Sequence, residues 1–396
     1  MEGVFKGWII GKPFGFIVND DGSADVFLHQ SKVAALQLTA GARVAFDVEQ
    51  TDKGLSATSV SLVAAAQRRK GQIKFWNERG FGFMEPSDGS ADVFVPATSV
   101  PAAEGGYLSD GSIVEFSPIF GKKGVEAGDL AVIGWAKPSD HLTAFADMGG
   151  PGWLTPLAAL AEDEPWEYKH ATASEPLPIL RSYIRHTFRR LEEMTGGVAV
   201  SGDGQAAAFN TGLVTPNQEE IYALFRPNSR SGRQTWRLLG FRKASDWDFI
   251  DKFGSSAPPL ANYFNDPSVL LYDRRCELFI NIDHVMEHIG RFPKHLQANP
   301  YVARQLMISA EATTKKRVYR NYKAAVPQYY RDKGGEGGVQ LLLPICLENP
   351  ARADLALVVD KSEAGNAYRG STVLTLDMGY NNARLLSRPD TEWLQP

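Results

Sequence analysis

Cysteine is almost missing from this chain. Cys276 and Cys346 stand far apart, which excludes a disulfide framework and a CxxC metal motif. Two scattered thiols fit a reducing compartment, so a cytoplasmic location is expected. Long apolar runs are missing too. None approaches the roughly eighteen residues a membrane helix needs, and "MEGVFKGWII" lacks the basic flank and cleavage site of a secretory signal. No membrane partner is expected. Basic excess is the third absence: 42 Lys+Arg face 46 Asp+Glu, a formal net charge of −4. Phosphate contacts driven by counterion release favour a basic protein. Any nucleic-acid binding here has to rest on local patches and on stacking.

What the chain does have is a phrase used twice. GSADVF occupies 22–27 and again 89–94, inside "FGFIVNDDGSADVFLHQSKV" (14–33) and "FGFMEPSDGSADVFVPATSV" (81–100). Laid over each other, the two copies give a first strand ("GVFKGWII", "GQIKFWNE") and then "KPFGFIV" or "RGFGFME". A polar turn, "ADVFLH" or "ADVFVP", and a closing strand pair follow. Five short strands with Gly/Asp turns predict a small closed β-barrel in each copy. At 396 residues the chain has room for further domains beyond them.

Strand alternation sorts the side chains. In copy one, Phe14 and Phe16 share a face, as do Phe27 and His29; in copy two the row is Phe81, Phe83 and Phe94, with Phe75 or Trp76 added from the first strand. Aliphatic residues then fill the interior and rings line the outer wall. The rings either pack under a loop or partner barrel, or stack unpaired bases. Lys6, Lys12, Lys74 and Arg79 lie in the same segments, where they can reach phosphates, and Trp8 stands at the end of the first strand.

These segments resemble the cold-shock domain family, whose five-stranded OB-type barrels bind single-stranded RNA and DNA. "KPFGFI" (12–17) and "RGFGFM" (79–84) match its first ribonucleoprotein-like motif, and "VFLH" (26–29) and "VFVP" (93–96) its second. The family's first-strand Trp falls on Gly7 in copy one, with Trp8 adjacent, and copy two has Phe75–Trp76. Its second-motif His is His29 in copy one and Pro96 in copy two, and the aromatic that follows is Gln30 or Ala97. The expected barrels span 1–65 and 68–133, and duplication lengthens the strand that can be held.

Residues 134–172, rich in Pro, Gly and Ala, read as a linker with an entry helix, and 173–396 as an α+β domain with a mixed or mostly antiparallel sheet. A helix is expected after a Ser174 cap, burying Leu180, Ile184, Phe188 and Leu191 and exposing Arg185, a candidate phosphate contact, with other cations. "NIDHVMEHIGRF" and "NPYVARQLMISAEATTKKRVYRNYKA" read as helices. "FNTGL" reads as a strand end with Gly212 at positive φ and Asn210 or Thr211 open to a ligand. Residues from about 142 to 396 also resemble a bacterial family of unknown function found behind RNA-binding modules. The phrases "FNTGL", "LLPICL", "DLALVV" and "TLDMGYNNARLL" carry that resemblance. It brings no chemistry with it.

Three patterns could supply chemistry. "HVMEH" (284–288) sets His284 and His288 at helical spacing around Glu287, as in an inverted zinc-peptidase motif, with Glu311 or Glu336 as third ligand; surface histidines are the alternative. A divalent metal is therefore conceivable and no cofactor is assigned. A metal-free phosphodiester site would use His284 as acid/base, Asp273 or Asp283 to orient it, and Arg291, Lys316 or Arg320 to hold phosphate. Lys316, Arg320 and Lys323, interleaved with Tyr319 and Tyr322, make either a solvated face or a phosphate-contacting one. "GNAYRGST" (365–372) lacks the lysine and helix of a phosphate loop and is rejected. The expectation is a single-strand binder, of RNA before DNA, whose C-terminal domain acts on the strand or extends the grip. An RNA-processing or nucleotide-modifying enzyme is the alternative.

Overall fold

Period-two alternation folds the first repeat into β1 (Glu2–Trp8), β2 (Phe14–Asn19), β3 (Val26–His29), β4 (Arg43–Thr51) and β5 (Gly54–Ala64), closed in the order β1-β2-β3-β5-β4. The second repeat gives β6 (Arg69–Asn77), β7 (Phe81–Pro86), β8 (Val93–Pro96), β9 (Ser112–Gly121) and β10 (Gly124–Trp135), closed as β10-β8-β7-β6-β9. The expected boundary at 133 falls inside β10. The computed structural model describes all residues except 10–11, 21–22, 34–37, 53, 65–67, 78, 122–123, 151, 174, 230–232, 332–336, 390–392 and 395–396.

Each barrel is filled by one side of its strands. Phe5, Ile17, Val26, Leu28 and Val44 are fully buried in the first; Ile73, Met84, Val93, Val95, Val114 and Phe116 fill the second. Each such side chain contributes roughly 1.5–3 kcal/mol of transfer free energy. Glycine is required at the centre of each FGF. A Cβ on Gly82 would meet the Trp76 ring and stand 2.8 Å from the Phe75 carbonyl, and one on Gly15 would stand 2.9 Å from the Phe5 ring.

The chain divides into two compact units, Met1–Thr155 with Leu224–Gly240, and Pro156–Ala223 with Phe241–Pro396. After the barrels come α1 (His141–Phe145), β11 (Ala146–Asp147), α2 (Thr155–Leu160), α3 (Pro178–Glu192), β12 (Val198–Val200), β13 (Ala207–Val214), β14 (Glu220–Pro227) and β15 (Trp236–Lys243). Then follow α4 (Trp247–Phe253), β16 (Glu277–Ile280), α5 (Ile282–Glu287), α6 (Lys294–Gln297), α7 (Pro300–Arg320), β17 (Val326–Arg331), β18 (Gly337–Ile345), β19 (Leu355–Lys361), β20 (Ala367–Leu374) and α8 (Leu376–Arg384). One sheet runs β11-β15-β14-β13-β12 and the other β16-β20-β19-β18-β17. In the latter β16 is parallel to β20 and the other pairs are antiparallel, so the sheet is mixed. Among the described residues no helix is long and apolar enough to cross a membrane. Cys276 and Cys346 are buried free thiols.

Several boundaries differ from expectation for local reasons. The helix expected from Ser174, which lies outside the described residues, begins at Pro178, because Leu177 takes a left-handed conformation and proline suits the first helical position. Its buried stripe includes the expected Leu180, Ile184, Phe188 and Leu191. The "DHVMEHIGR" helix breaks after Glu287, and a 3-10 turn covers Ile289–Arg291. β20 ends at Leu374, and Thr375 then caps α8 by accepting from the Met378 N–H at 3.3 Å.

The second unit begins at Pro156 rather than near 173. The segment expected as linker is tied down within that unit. Glu164 takes two hydrogen bonds from Arg384, 2.6 and 2.9 Å, and one from the Tyr380 hydroxyl at 3.2 Å. The Arg384 guanidinium also lies 4.5 Å from the Tyr183 ring centroid and 5.5 Å from that of Trp166. Asp377, 3% exposed, accepts from the backbone N–H groups of Lys169 and His170.

Two expectations follow. Gly82→Ala should destabilise the second barrel by about 1–3 kcal/mol, seen as a lower melting midpoint. Glu164→Ala strands the Arg384 cation in a site where its side chain is 10% exposed. It should cost the C-terminal unit about 3–5 kcal/mol, seen in chemical denaturation as loss of its transition with the barrels unaffected.

Candidate nucleic-acid interface

The interface is assembled by β2 and β3 in the first barrel and by β6, β7 and β8 in the second. Along β2 the odd positions of the motif face outward and half-exposed (Phe14, Phe16), while Gly15 and Ile17 face inward. Register places Phe16 opposite Phe27 and Phe14 opposite His29. The three rings touch one another, with centroids 5.2 Å apart for Phe14–Phe27 and 6.1 Å for Phe14–Phe16 and Phe16–Phe27. Lys12 is exposed with its Nζ 5.7 Å over the Phe14 ring. The His29 Nδ1 is 2.8 Å from the Ser31 hydroxyl oxygen.

The second barrel builds a row of four. Phe75–Phe83 and Phe81–Phe94 are tilted pairs at 5.6 and 5.5 Å, and Phe83–Phe94 and Phe81–Phe83 meet edge-on at 5.7 and 6.1 Å. Of the two first-strand candidates, Phe75 is the ring on this face. Trp76 is 8% exposed and sits in the barrel core, a correction to its place among the surface rings. A bulge between Ile73 and Phe75 turns Phe75 outward and Trp76 inward. The same bulge in β1 lies between Phe5 and Gly7, so Gly7 (φ 121°) stands opposite Phe16 where Phe75 stands opposite Phe83. Trp8 is then the counterpart of Trp76. It packs on Phe5 at 4.8 Å, against the barrel core, and donates to the Leu38 carbonyl at 3.2 Å. The first barrel thus has three rings and His29, and the second has four rings with Pro96 in place of the imidazole.

The cations divide into two kinds. Lys6 and Lys74, both on the bulges, are held by carboxylates: Asp25 at 2.9 Å and Asp92 at 3.0 Å. Asp92 raises the Lys74 pKa above its ordinary value, first by the hydrogen bond and then by charge. Asp25 and Asp92 are the aspartates of GSADVF, a role the repeat signalled but composition alone did not reveal. Lys12 and Arg79 are exposed; the Arg79 backbone N–H is fixed by the Asn77 side chain at 2.8 Å.

The expected catalytic constellation in the C-terminal unit does not assemble. His284 Nδ1 pairs with Glu287 at 2.8 Å. Asp273 takes two hydrogen bonds from Arg275, both 2.9 Å, and its carboxyl is held well below the usual carboxylate range. Arg291 donates to the Val373 carbonyl at 2.7 Å, and Asp283 pairs with Arg304. The metal reading also loses its geometry: α5 ends at Glu287, His288 is the C-cap, and the two imidazoles meet edge-on at 5.6 Å. Burial, then the charges of Arg291 and His284, lower the His288 pKa. Glu311 is paired with Lys315, Glu336 lies outside the described residues, and no cluster of three metal-ligating side chains occurs among those described.

Asn210 and Thr211 are consumed internally. Asn210 accepts from the Gly212 N–H at 2.9 Å, and Thr211 donates to the Ile221 carbonyl at 2.6 Å; Gly212 keeps its positive φ of 72°, inside β13 rather than in a turn. Lys316, Arg320 and Lys323 are exposed around the end of α7, beside Tyr319 (61% exposed) and Tyr322 (51%). Arg185 lies on a different helix, α3, half-buried and already partnered.

Residues 157–393, more than half of the chain, match the family described as "Domain of unknown function (DUF3825)". The chain belongs to this family. Ahead of its DUF3825 domain it carries two copies of the "'Cold-shock' DNA-binding domain", at 1–63 and 69–133. Cold shock-like protein CspC of Buchnera aphidicola is 49% identical over 59 residues, 15% of this chain and 86% of the relative. CspC of Escherichia coli K12 is 43% identical over 65 residues, 16% of this chain and 94% of its own length. A solved structure titled "drosophila Unr CSD456" covers 62% of this chain and 96% of its own at 16% identity; its TM-score of 0.18 carries no argument about the arrangement. The two cold-shock domains make the N-terminal third of this DUF3825 protein a single-stranded nucleic-acid-binding module.

The Lys74–Asp92 pair is directly testable. In Asp92→Asn the Lys74 ammonium should titrate back toward the ordinary lysine range in an NMR pH titration; an unmoved midpoint would show that the pair does not exist in solution.

Proposed function

We propose that this protein binds single-stranded RNA by stacking unpaired bases on the two ring rows, with the DUF3825 domain extending the hold on the strand. The observation that carries the reading is the outward row itself. Phe14, Phe16 and Phe27 in one barrel, and Phe75, Phe81, Phe83 and Phe94 in the other, remain half-exposed, while the positions that alternate with them inside β2, β3, β7 and β8, and Trp76 next to Phe75, are buried. Such a row has a cost in water unless a π-face covers it, and each stacked base is worth about 1–3 kcal/mol.

Charge supports stacking as the main source of affinity. The first 130 residues carry fewer cations than carboxylates, and two of the platform lysines already have carboxylate partners. The short tether between β5 and β6 keeps the second barrel at high effective concentration once the first has engaged. The exposed Lys316, Arg320 and Lys323, with Tyr319 and Tyr322 between them, offer phosphates a further contact in the C-terminal domain.

The test is a double substitution. Phe16→Ala with Phe83→Ala removes the central ring of each row without touching a core position. Affinity for a labelled single-stranded RNA should fall by at least roughly 30-fold, with far-UV circular dichroism unchanged. Unchanged affinity removes the stacking reading. Competition with DNA of the same sequence decides the RNA preference, which requires that DNA compete more weakly.

A further inference from the structure

The face of the second sheet that carries α8 holds a row of side chains which the barrels do not account for. Register sets Phe279 of β16 beside Arg369 of β20, and Arg369 beside Asp360 of β19. The row continues through hydrogen bonds: Gln340 of β18 donates to Asp360 Oδ1 at 2.8 Å, and Gln328 of β17 donates to Gln340 Oε1 at 2.8 Å. Asn382 of α8 closes it by donating to Gln328 Oε1 at 3.0 Å. All five strands therefore contribute one residue to a single line. Its inner end is sealed, since Gln328 is 1% exposed. Its outer end opens into a cleft of about 940 Å³ lined by Phe279, Arg369, Asp360, Lys361, Glu277 and Glu363.

Two features of the open end point to a ligand. Phe279 is 53% exposed although its neighbour Leu278 is buried in the core on the other face. A ring standing free on a sheet, beside a guanidinium with no carboxylate partner among the described residues, is a stacking surface. Asp360 is anchored rather than free. The amide relay behind it fixes one oxygen, and among the described residues nothing donates to the other, which is left to accept from a ligand. The cleft volume lies within the range of small-molecule sites, roughly 300–1,000 Å³.

Charge narrows the class. Three carboxylates (Glu277, Asp360, Glu363) outnumber two cations, and the Lys361 ammonium is 3.7 Å from Asp273. That balance disfavours a polyphosphate. It suits a base bearing an amino group, which donates to Asp360, with one phosphate on Arg369.

We propose that this cleft holds one nucleotide of a single strand, its base one that bears an exocyclic amine (adenine, cytosine or guanine) stacked on Phe279, that amine on Asp360 and its phosphate on Arg369. The proposal rests on the strand-binding reading for its ligand class, and it assigns the DUF3825 domain a base-selective pocket of its own. Uracil presents a carbonyl where adenine and cytosine present the amine, so the carboxylate repels it.

Equilibrium dialysis of the full chain against labelled AMP, CMP and UMP tests this. AMP and CMP should bind about tenfold more tightly than UMP. Phe279→Ala should weaken AMP by about tenfold. Asp360→Asn, whose amide can donate as well as accept, should bring UMP level with AMP, and its melting midpoint checks that the fold is kept. The Phe16→Ala/Phe83→Ala chain should bind AMP as the parent does. Absence of saturable AMP and CMP binding at millimolar concentration overturns the proposal, as does full retention in Phe279→Ala. Loss of AMP binding in the barrel variant places the nucleotide on the barrels, sinking this pocket and leaving strand binding intact. If that variant instead keeps both AMP and oligonucleotide binding, the barrel reading fails and the pocket stands.

Discussion

Close approach at one glycine per barrel is the constraint on which the interface depends. Gly15 and Gly82 sit between two phenylalanines on the same strand, facing inward, where the Phe5 ring or the Trp76 ring lies against the backbone. Because that inner position is filled by a neighbour's ring, the barrel has no room for the flanking phenylalanines. Strand alternation then leaves them outside. The ring rows are what is left over when a small barrel packs its core with aliphatic side chains, one aromatic from its first strand and one from its fourth.

Electrostatics points the same way. Each repeat supplies an acidic turn whose aspartate holds the strand-one lysine, Asp25 for Lys6 and Asp92 for Lys74. These are half-exposed pairs and contribute little to stability. Their effect is on the field near the rings, where a cation that could meet a phosphate is already shared. Arg384 in the C-terminal unit is the opposite case. It is buried, bidentate on Glu164 and flanked by two aromatic faces, so it fixes the start of the domain rather than its surface.

Most of the barrels was legible because period two, Gly/Asp turns and a duplicated phrase all report the same geometry. The bulge was not legible. One extra residue in β1 and β6 reverses which side of the strand faces the core, and nothing in "FKGW" or "IKFWNE" marks it; hence the ambiguity between Phe75 and Trp76. In the C-terminal unit, long strands and α7 were readable from apolar runs and helical spacing. Chemistry guessed from residue type was not, because Asp273, His284 and Arg291 each found a nearer partner than one another. The row from Phe279 to Gln328 crosses four successive antiparallel strands and the sequence-distant β16, and only register brings it together.

The difference between Gly7 and Phe75 makes the two barrels unequal. A nucleic acid spanning both meets an additional π-surface at one end and an imidazole at the other. On the stacking proposed above, departure is ordered: the three-ring end peels away first and can re-anneal before the four-ring end lets go. The two copies differ just after the bulge, Gly7 against Phe75, and at the end of the third strand, His29 against Pro96, which gives the tandem a leading foot and a trailing one.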